Sequence, residues 1–233
     1  MKTLVLVAAE KREFAGVEPH LARRESLAWP LDYCCAAVLG GRRVLLVANG
    51  QGGRLASEAL ELVRNRTEIG AVVSTGFCGG LDPALAPGEI FVACQVRGPE
   101  AACYPARLPD CARPHVRGVL VSENRIVQTS RDRRRLWEQG GAAVDLESAA
   151  LAGRAWAWRL PFYAIRAVTD TAEESFRCDF EGARLVDGRL SYRRLLTAAL
   201  GDPAARFAEL WRLRRRANLA AQALGEFLAD CRF

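Results

Sequence analysis

Two carboxylates in an apolar segment are the first candidates for chemistry in this chain of 233 residues. The segment "AVDLESAALAG" spans residues 143–153 and places Asp145 and Glu147 two positions apart among small and apolar side chains. Burying a charge costs free energy unless the charge is paired or hydrogen-bonded. The pair therefore predicts either a helix cap with a buried ion pair or a functional site.

A glycine-rich stretch between two predicted strands is the second candidate. The sequence "STGFCGGLDPALAPGEIFVA" covers residues 74–93 and runs from a strand through glycines to Pro-Gly and another strand. Glycines let a ligand approach the backbone closely. The same glycines would serve a tight connection between strands, so this stretch alone does not decide the function.

Short apolar strands that alternate with helical stretches indicate an α/β fold with a mixed, mostly parallel sheet. We find no linker and no internal repeat, so the chain is interpreted as one domain over residues 1–233. Strands are predicted at 3–9, 69–77, 88–96, 118–127 and 161–170, with two more in 33–49 around the glycines at 40 and 41. Helices are predicted at 53–66, at 130–139 with Ser130 as the cap, at 146–159 and within 201–233.

The composition is that of an ordinary globular protein. The net charge is +6, and no apolar run approaches the ~18 residues that span a bilayer. Residues 3–9 are interpreted as a buried strand rather than a signal peptide because acidic Glu10 follows at once, which favours a cytoplasmic protein. The arginine clusters at 131–135 and 212–216 lie on predicted helices, where we expect solvated faces, and few aromatic residues interleave with them.

The cysteines do not predict a metal site. Eight cysteines form no C-x-x-C pair, and the chain has only two histidines, so there is no zinc-binding spacing. We expect reduced thiols; Cys103 and Cys111, which flank a proline-rich loop, could form a disulfide. No cofactor and no metal is predicted.

Three motifs in order resemble the nucleoside phosphorylase and nucleosidase superfamily. They are "TGFCGGL", the acidic segment with Asp145 and Glu147, and the strand that ends in Thr169-Asp170. More narrowly, the chain from Met1 to about Asp170 resembles methylthioadenosine/S-adenosylhomocysteine nucleosidases and hopanoid-associated phosphorylases. The similarity is weaker in the closing helices, and the tail at 187–203 is closer to the hopanoid-associated group. The resemblance implies a three-layer α/β/α sandwich around a central mixed sheet, assembled as dimers or higher oligomers.

The resemblance implies a role for each acid in cleaving an N-glycosidic bond. Glu147 matches the family's ribose-binding glutamate, with Leu146 at its usual methionine position. Asp170 matches the aspartate that contacts purine N7 and the exocyclic amine. Because cleavage builds positive charge on the ribose and negative charge on the base, Glu147 would stabilise the ribose and Asp170 would act as general acid. Partial burial would favour the protonated Asp170 that this role needs, and Asp145 is expected at the helix N-terminus.

The water-activating residue and a second glycine loop are also implied. In the nucleosidases a glutamate after the first strand polarises the attacking water, and "AAEKREFAGV" at 8–17 offers Glu10 and Glu13. Glu13 fits best when one extra residue is allowed. The stretch "NGQGGRLASEAL" at 49–60 matches the family's second glycine loop, in which Gly50 belongs to a turn that can present backbone N–H groups to an anion or a ribose.

The first glycine stretch supplies the remaining expected substrate contacts, Phe77, Cys78 and Gly79. Phe77 stands where the nucleosidases often have a small polar residue, so a more apolar pocket is expected. Ser74 stands where phosphorylases of the purine and uridine type usually carry a phosphate-binding arginine, which favours water as the nucleophile. The hopanoid-associated branch also lacks that arginine, so both reactions stay open.

The leading interpretation is hydrolytic release of the base from a purine nucleoside, with a 5′-substituted adenosine as the expected substrate. The close alternative is phosphorolysis of a similar nucleoside, in which the sugar is transferred to phosphate. A catalytically weak nucleoside-binding protein stays open, as does a basic nucleic-acid-binding module, which a salt-sensitive mobility shift would support. The expected partners are the nucleoside, phosphate in the phosphorolytic reaction and further copies of the chain, with no nucleic acid and no membrane span.

Overall fold

The computed structural model describes residues 2–183, 185, 191 and 203–233, with side chains described except at 203–207. Most of the tail at 187–203 therefore lies outside the described residues. The strands are β1 (Thr3–Ala8), β2 (Leu21–Ser26), β3 (Tyr33–Leu39), β4 (Arg42–Ala48), β5 (Ile69–Gly80), β6 (Ile90–Arg97), β7 (Cys103–Pro105), β8 (Val116–Ser122), β9 (Ala143–Asp145) and β10 (Phe162–Asp170). The α-helices among these residues are α1 (Gly53–Arg64), α2 (Ser130–Glu138), α3 (Ser148–Ala157) and α4 (Pro203–Asp230).

The described strands form one mixed sheet, as the sequence predicts. The sheet is not mostly parallel, however. Parallel pairs join β1 to β4 and β5, β5 to β10, and β8 to β6 and β9, whereas the other five pairings are antiparallel. One antiparallel pair is the hairpin of β3 and β4, whose turn residues Gly40 and Gly41 both have positive φ, at 55° and 79°.

The apolar run of β1 is buried because helices cover both faces of the sheet around it. Val5 and Val7 belong to the same core cluster as Leu60 of α1. Leu4 and Leu6 alternate with them and belong to the cluster that contains Leu224 of α4. The α/β class predicted from alternating strands and helices is therefore confirmed.

Strands β5 and β10 run parallel and end side by side. Their register pairs Cys78 with Val168 and Gly79 with Asp170. β9 pairs with the end of β5, where Val144 lies opposite Gly79. The acidic segment and the glycine stretch therefore meet at the carboxyl ends of β5 and β10. Ligands bind at the carboxyl ends of the strands in many α/β proteins.

Several local features differ from the prediction. The strands β2, β7 and β9 are not predicted, because "LARRES" is mostly exposed and "CYP" and "AVD" have only three residues each. Thr129, not Ser130, caps α2, since its hydroxyl accepts a hydrogen bond from the N–H of Asp132. Cys103 and Cys111 are both unbridged thiols, so they form no disulfide. In the part of the chain that the structure describes, no helix is long and apolar enough to cross a membrane.

Candidate active site

A cavity of about 700 Å³ lies where the acidic segment meets the ends of β5 and β10. Seven of the eight side chains or glycines predicted for the site line this cavity. They are Glu13, Phe77, Cys78, Gly79, Leu146, Glu147 and Asp170. The fold thus brings residues from four separate segments of the chain to one place.

Gly50 is the predicted residue that does not line the cavity. Its φ of 99° favours glycine, and its N–H donates to the carbonyl of Ala9 at 2.9 Å. In the same loop the N–H of Gly52 donates to Glu147 Oε1 at 2.8 Å. The N–H groups of Gly50 and Gly52 therefore bind other parts of the protein, and neither of them is the N–H of this turn that would meet an anion or a ribose.

Glu13 is held by three backbone N–H groups. Its Oε2 accepts hydrogen bonds from Ala9 at 2.7 Å and Glu10 at 2.9 Å, and its Oε1 accepts one from Phe77 at 2.9 Å. Gly76 makes this approach possible, because a Cβ there would lie 2.6 Å from Glu13 Oε1. Burial raises the pKa of Glu13, although the charge of Arg166 and the backbone hydrogen bonds act against the increase.

Glu10 also borders the cavity, but its environment differs from that of Glu13. Glu10 is half-buried and forms an ion pair with Arg12 at 2.8 Å. Its Oε1 accepts a hydrogen bond from the side-chain amide of Gln51 at 3.1 Å. Of the two glutamates that the sequence offers, Glu13 is the buried one and the one fixed by the glycine stretch.

Asp145 is a structural partner of Arg166 and of α3. Its Oδ2 lies 2.6 Å from Arg166 Nη2, and both side chains are 1% exposed. The hydroxyl of Ser122 donates to Asp145 at 2.7 Å, and the N–H of Ser148, the first residue of α3, donates at 3.2 Å. The predicted place of Asp145 at a helix N-terminus is confirmed.

Glu147 is paired less completely than Asp145. Its Oε2 lies 3.9 Å from Arg166 Nη2, while its Oε1 accepts the hydrogen bond from Gly52. Burial raises the pKa of Glu147 to about 7, the charge of Asp145 adds to the increase, and Arg166 opposes it. Glu147 can therefore change its protonation near neutral pH, in contact with the cavity.

The guanidinium of Arg166 is directed at protein groups. Besides Asp145, it donates to the hydroxyls of Ser74 at 2.6 Å and Ser148 at 3.0 Å, and to the carbonyl of Thr75 at 2.5 Å. Burial opposes its charge, but the neighbouring carboxylates outweigh burial and raise the pKa of Arg166. Arg166 is a buried cation whose charge is balanced by acids of the site.

Asp170 forms an ion pair that sequence reasoning missed. Its Oδ2 contacts Nη1 of Arg133, and its Oδ1 accepts a hydrogen bond from the hydroxyl of Thr169 at 2.6 Å. Arg133 is 1% exposed, so the expectation of a solvated arginine cluster at 131–135 is wrong for this residue. The signal lay in the helical spacing, because Arg133 and buried Leu136 share one face of α2.

The rest of the cavity wall is mainly apolar. Its lining includes Phe176, Phe180, Leu210, Leu213 and Ala217, with Arg214 and Asn218 as polar neighbours. Burial raises the pKa of the Cys78 thiol, so this cysteine stays neutral and is not an activated nucleophile. Within the described residues, no group of three or more His, Cys, Asp or Glu side chains could hold a metal ion.

Comparison with known proteins gives relatives in sequence and in structure. A 5′-methylthioadenosine/S-adenosylhomocysteine nucleosidase of Baumannia cicadellinicola subsp. Homalodisca coagulata is 28% identical over 165 residues, which cover 58% of this chain and 71% of that protein. The S. pneumoniae nucleosidase of the same name, solved with the transition-state inhibitor MT-ImmA, has a TM-score of 0.71 at 16% identity and covers 98% of this chain and 99% of its own.

A second solved structure is that of an enzyme with a different name. The futalosine hydrolase of Helicobacter pylori strain 26695 has a TM-score of 0.70 at 14% identity, with 97% of this chain and 95% of that chain covered. At these identities the structural likeness shows the fold alone. The model of the phosphorylase superfamily matches residues 33–200, which is more than half of the sequence. The chain therefore belongs to the phosphorylase superfamily.

Proposed function

We propose that this protein hydrolyses the N-glycosidic bond of a purine nucleoside, a 5′-substituted adenosine, and releases the base. One observation carries the proposal. A single cavity joins the buried carboxyls Glu13 and Glu147 to the pair of Asp170 and Arg133. The names of the sequence relative and of the S. pneumoniae structure support a 5′-substituted adenosine as the substrate class.

Glu13 and Glu147 act on the sugar side of the reaction. Glu13 takes a proton from the attacking water, because it is fixed by three N–H groups and its raised pKa makes it a better base near neutral pH. Glu147 binds the ribose hydroxyls and stabilises the positive charge that develops on the ring. Leu146 and Phe77, which line the cavity, pack against the substrate.

The charges around the ribose support water rather than phosphate as the nucleophile. Glu13, Asp145 and Glu147 are grouped around one buried cation, Arg166. A phosphate dianion beside them would be repelled by these carboxylates. Ser74, at the position of the usual phosphate-binding arginine, instead accepts a hydrogen bond from Arg166.

Asp170 and Arg133 contact the base, together with Cys78 and Gly79 of the glycine stretch. Asp170, whose Oδ2 contacts Arg133, acts on the base as the general acid of the proposed reaction. The apolar side chains that α4 adds to the cavity suit an apolar 5′ substituent.

The proposal also covers the layers of the fold, the single domain, the oligomer and the cellular location. Helices on both faces of the sheet support a three-layer α/β/α sandwich within one domain over residues 1–233. Trp156, on α3, is 64% exposed and would suit a homo-oligomeric interface. Light scattering would test the oligomer, and cell fractionation would test the proposed cytoplasmic location.

Base release from a panel of purine and pyrimidine nucleosides tests the proposed function. The expected result is adenine released from 5′-substituted adenosines at the same rate with and without phosphate. Glu147→Gln should lower the rate by about 100-fold or more. Glu58→Gln, a change on the exposed part of α1, should not change it. Strict phosphate dependence would instead establish phosphorolysis, and binding without base release would establish a nucleoside-binding protein.

A further inference from the structure

Two cysteines lie side by side where the end of α4 meets the proline-rich loop before β8. Cys111 belongs to this loop, which joins β7 to β8, and Cys231 follows the last residue of α4. Both are half-buried, unbridged thiols. Because the two residues are far apart in the sequence, only the fold makes them neighbours.

A pair of backbone hydrogen bonds fixes the register of the two segments. The N–H of Asp110 donates to the carbonyl of Arg232 at 2.9 Å, and the N–H of Arg232 donates to the carbonyl of Asp110 at 2.9 Å. This reciprocal pattern is that of a hydrogen-bonded pair in an antiparallel ladder. The next pair along such a ladder is Cys111 with Cys231. In that type of pair the side chains share one face and the Cα atoms lie about 4.5 Å apart.

The surroundings of the thiols agree with this register. The thiol of Cys111 donates to the carbonyl of Phe227 at 3.9 Å, and Phe227 lies one helical turn before Cys231. Both cysteines pack against the same core cluster, which includes Leu224 and Phe227. Burial raises the pKa of the Cys231 thiol, and the neighbouring thiol of Cys111 adds to the increase. The sulfur of Cys111 therefore lies at the last turn of α4, on the side of Cys231.

Ion pairs and a ring contact hold the loop against α4. Arg113, two residues after Cys111, pairs with Glu226 at 2.9 Å and with Asp230 at 2.5 Å. The rings of His115 and Phe227 meet edge to face, with their centroids 5.4 Å apart. These contacts keep the two thiols together in the reduced protein. A cross-link between them would therefore need little rearrangement of the backbone.

We propose that Cys111 and Cys231 are a redox-active pair that forms a reversible disulfide in the presence of a small-molecule disulfide such as glutathione disulfide. Their expected Cα separation falls within the range that disulfides need, about 4.4–6.8 Å. This proposal does not depend on the proposed function. It differs from the pairing of Cys103 with Cys111 that the sequence left open, because the fold gives Cys111 another partner.

The oxidation proceeds by thiol–disulfide exchange in two steps. One cysteine, as its thiolate, attacks a sulfur of the small disulfide, which forms a mixed disulfide and releases one small thiol. The second cysteine, also as its thiolate, then displaces the other small thiol and closes the bond between the two protein sulfurs. The small disulfide takes up two electrons and the two protons that the cysteines lose, so the step balances.

The cross-link would tie down the helix that closes the cavity. α4 supplies Leu210, Leu213 and Ala217 to the cavity wall, whereas neither cysteine is among the described residues that line it. A disulfide at the other end of α4 would therefore leave the site open. Because it joins distant parts of the chain, it would restrict the unfolded state and stabilise the folded one.

Peptide mapping of the full chain tests the pair directly. The protein is incubated with excess glutathione disulfide, the remaining thiols are alkylated, and the peptides are identified by mass spectrometry with and without reduction. We expect one intramolecular cross-link, between Cys111 and Cys231, that reduction removes. Cys111→Ser and Cys231→Ser should each abolish it. Cys103→Ser, a change at an exposed cysteine on β7, is the matched control and should leave it in place.

Thermal unfolding measures the consequence of the cross-link. Oxidation should raise the Tm of the wild type by about 5 °C or more. Cys103→Ser should show the same shift. Cys111→Ser and Cys231→Ser, treated with glutathione disulfide in the same way, should shift by less than about 1 °C. An unchanged Tm in protein shown to be cross-linked would overturn the stabilising role.

The mapping of the wild type needs no variant, so the proposal can fail even if a serine variant does not fold. Glutathione attached to Cys111 or Cys231 with no bond between them would overturn the proposal, because it would show that the two sulfurs are out of reach of each other. A cross-link through any other pair of cysteines would overturn it as well. None of these results involves a nucleoside, so the proposed function is tested separately by base release.

Discussion

Asp145 and Glu147 are separated by one residue, yet Arg166 pairs closely with only the first of them. Asp145 Oδ2 lies 2.6 Å from Arg166 Nη2, whereas Glu147 Oε2 lies 3.9 Å from the same nitrogen. Asp145 also binds Ser122 and the N-terminus of α3. Asp145 therefore belongs to the scaffold, and Glu147 is left with capacity for a ligand.

Isosteric changes at these two acids should separate stability from catalysis. Asp145→Asn leaves Arg166 without its closest counter-charge in the interior, so we expect the free energy of unfolding to fall by about 3–5 kcal/mol. Glu147→Gln should cost less stability and lower base release by about 100-fold. Urea unfolding at pH 7 and base release measure the two effects. The scaffold role of Asp145 would be refuted by an Asp145→Asn protein as stable as the wild type.

The rate of base release should rise with pH through neutrality. Glu147 acts as a carboxylate, and burial raises its pKa to about 7. Burial also raises the pKa of Glu13, which must be ionised to accept a proton from water. We therefore expect kcat/KM to increase between about pH 5.5 and 8.5. A rate that falls over this range, in protein shown to stay folded, would mean that a protonated carboxyl is required.

The same carboxyl should make the folding stability depend on pH. In the folded state the pKa of Glu147 is about 7, above its ordinary value of 4.5, so the folded state binds this proton more tightly than the unfolded state. This stabilisation is fully present below pH 4.5 and is lost as the pH rises through 7. Glu147→Gln removes it, so the stability of this variant relative to the wild type should increase from pH 5 to pH 8. Parallel pH profiles of the two unfolding free energies would contradict the assignment.

Substitutions at Glu13 and Glu10 should identify the residue that acts on water. Glu13→Gln cannot accept the proton, so we expect kcat to fall by about 100-fold or more. Glu10, which pairs with Arg12 and is half-buried, is the matched control. Glu10→Gln should keep kcat within about threefold of the wild type. A larger loss in Glu10→Gln than in Glu13→Gln would exchange the two roles.

The sequence predicts the scaffold best where apolar residues form continuous runs. β1 and β10 are read correctly because strands buried on both faces leave unbroken apolar segments. The acids that follow such runs then lie at the strand ends. Asp170, for example, is paired with Gly79 in the register of β10 and β5. Local pattern is sufficient here because the hydrophobic signal and the position in the strand agree.

Features that depend on pairing between distant segments escape the sequence. Arg133 lies in an arginine-rich helix, where its spacing to Leu136 indicates a buried face but does not reveal the contact with Asp170. Gly50 is predicted as a substrate contact in a turn that could meet an anion or a ribose, but its N–H donates to the carbonyl of Ala9 where β1 and β4 pair. β2 has an exposed, polar sequence and is defined by its pairing with β3. Such contacts arise from tertiary packing and leave no period in the sequence.

The central claim is that water attacks the sugar, and the source of the new oxygen at C1′ tests it most directly. A 5′-substituted adenosine is cleaved in water enriched in oxygen-18 with ordinary phosphate present, and the sugar product is analysed by mass spectrometry. We predict a free sugar that carries one heavy oxygen, formed at a rate that does not depend on phosphate. A sugar 1-phosphate without the label would contradict the claim and establish phosphorolysis.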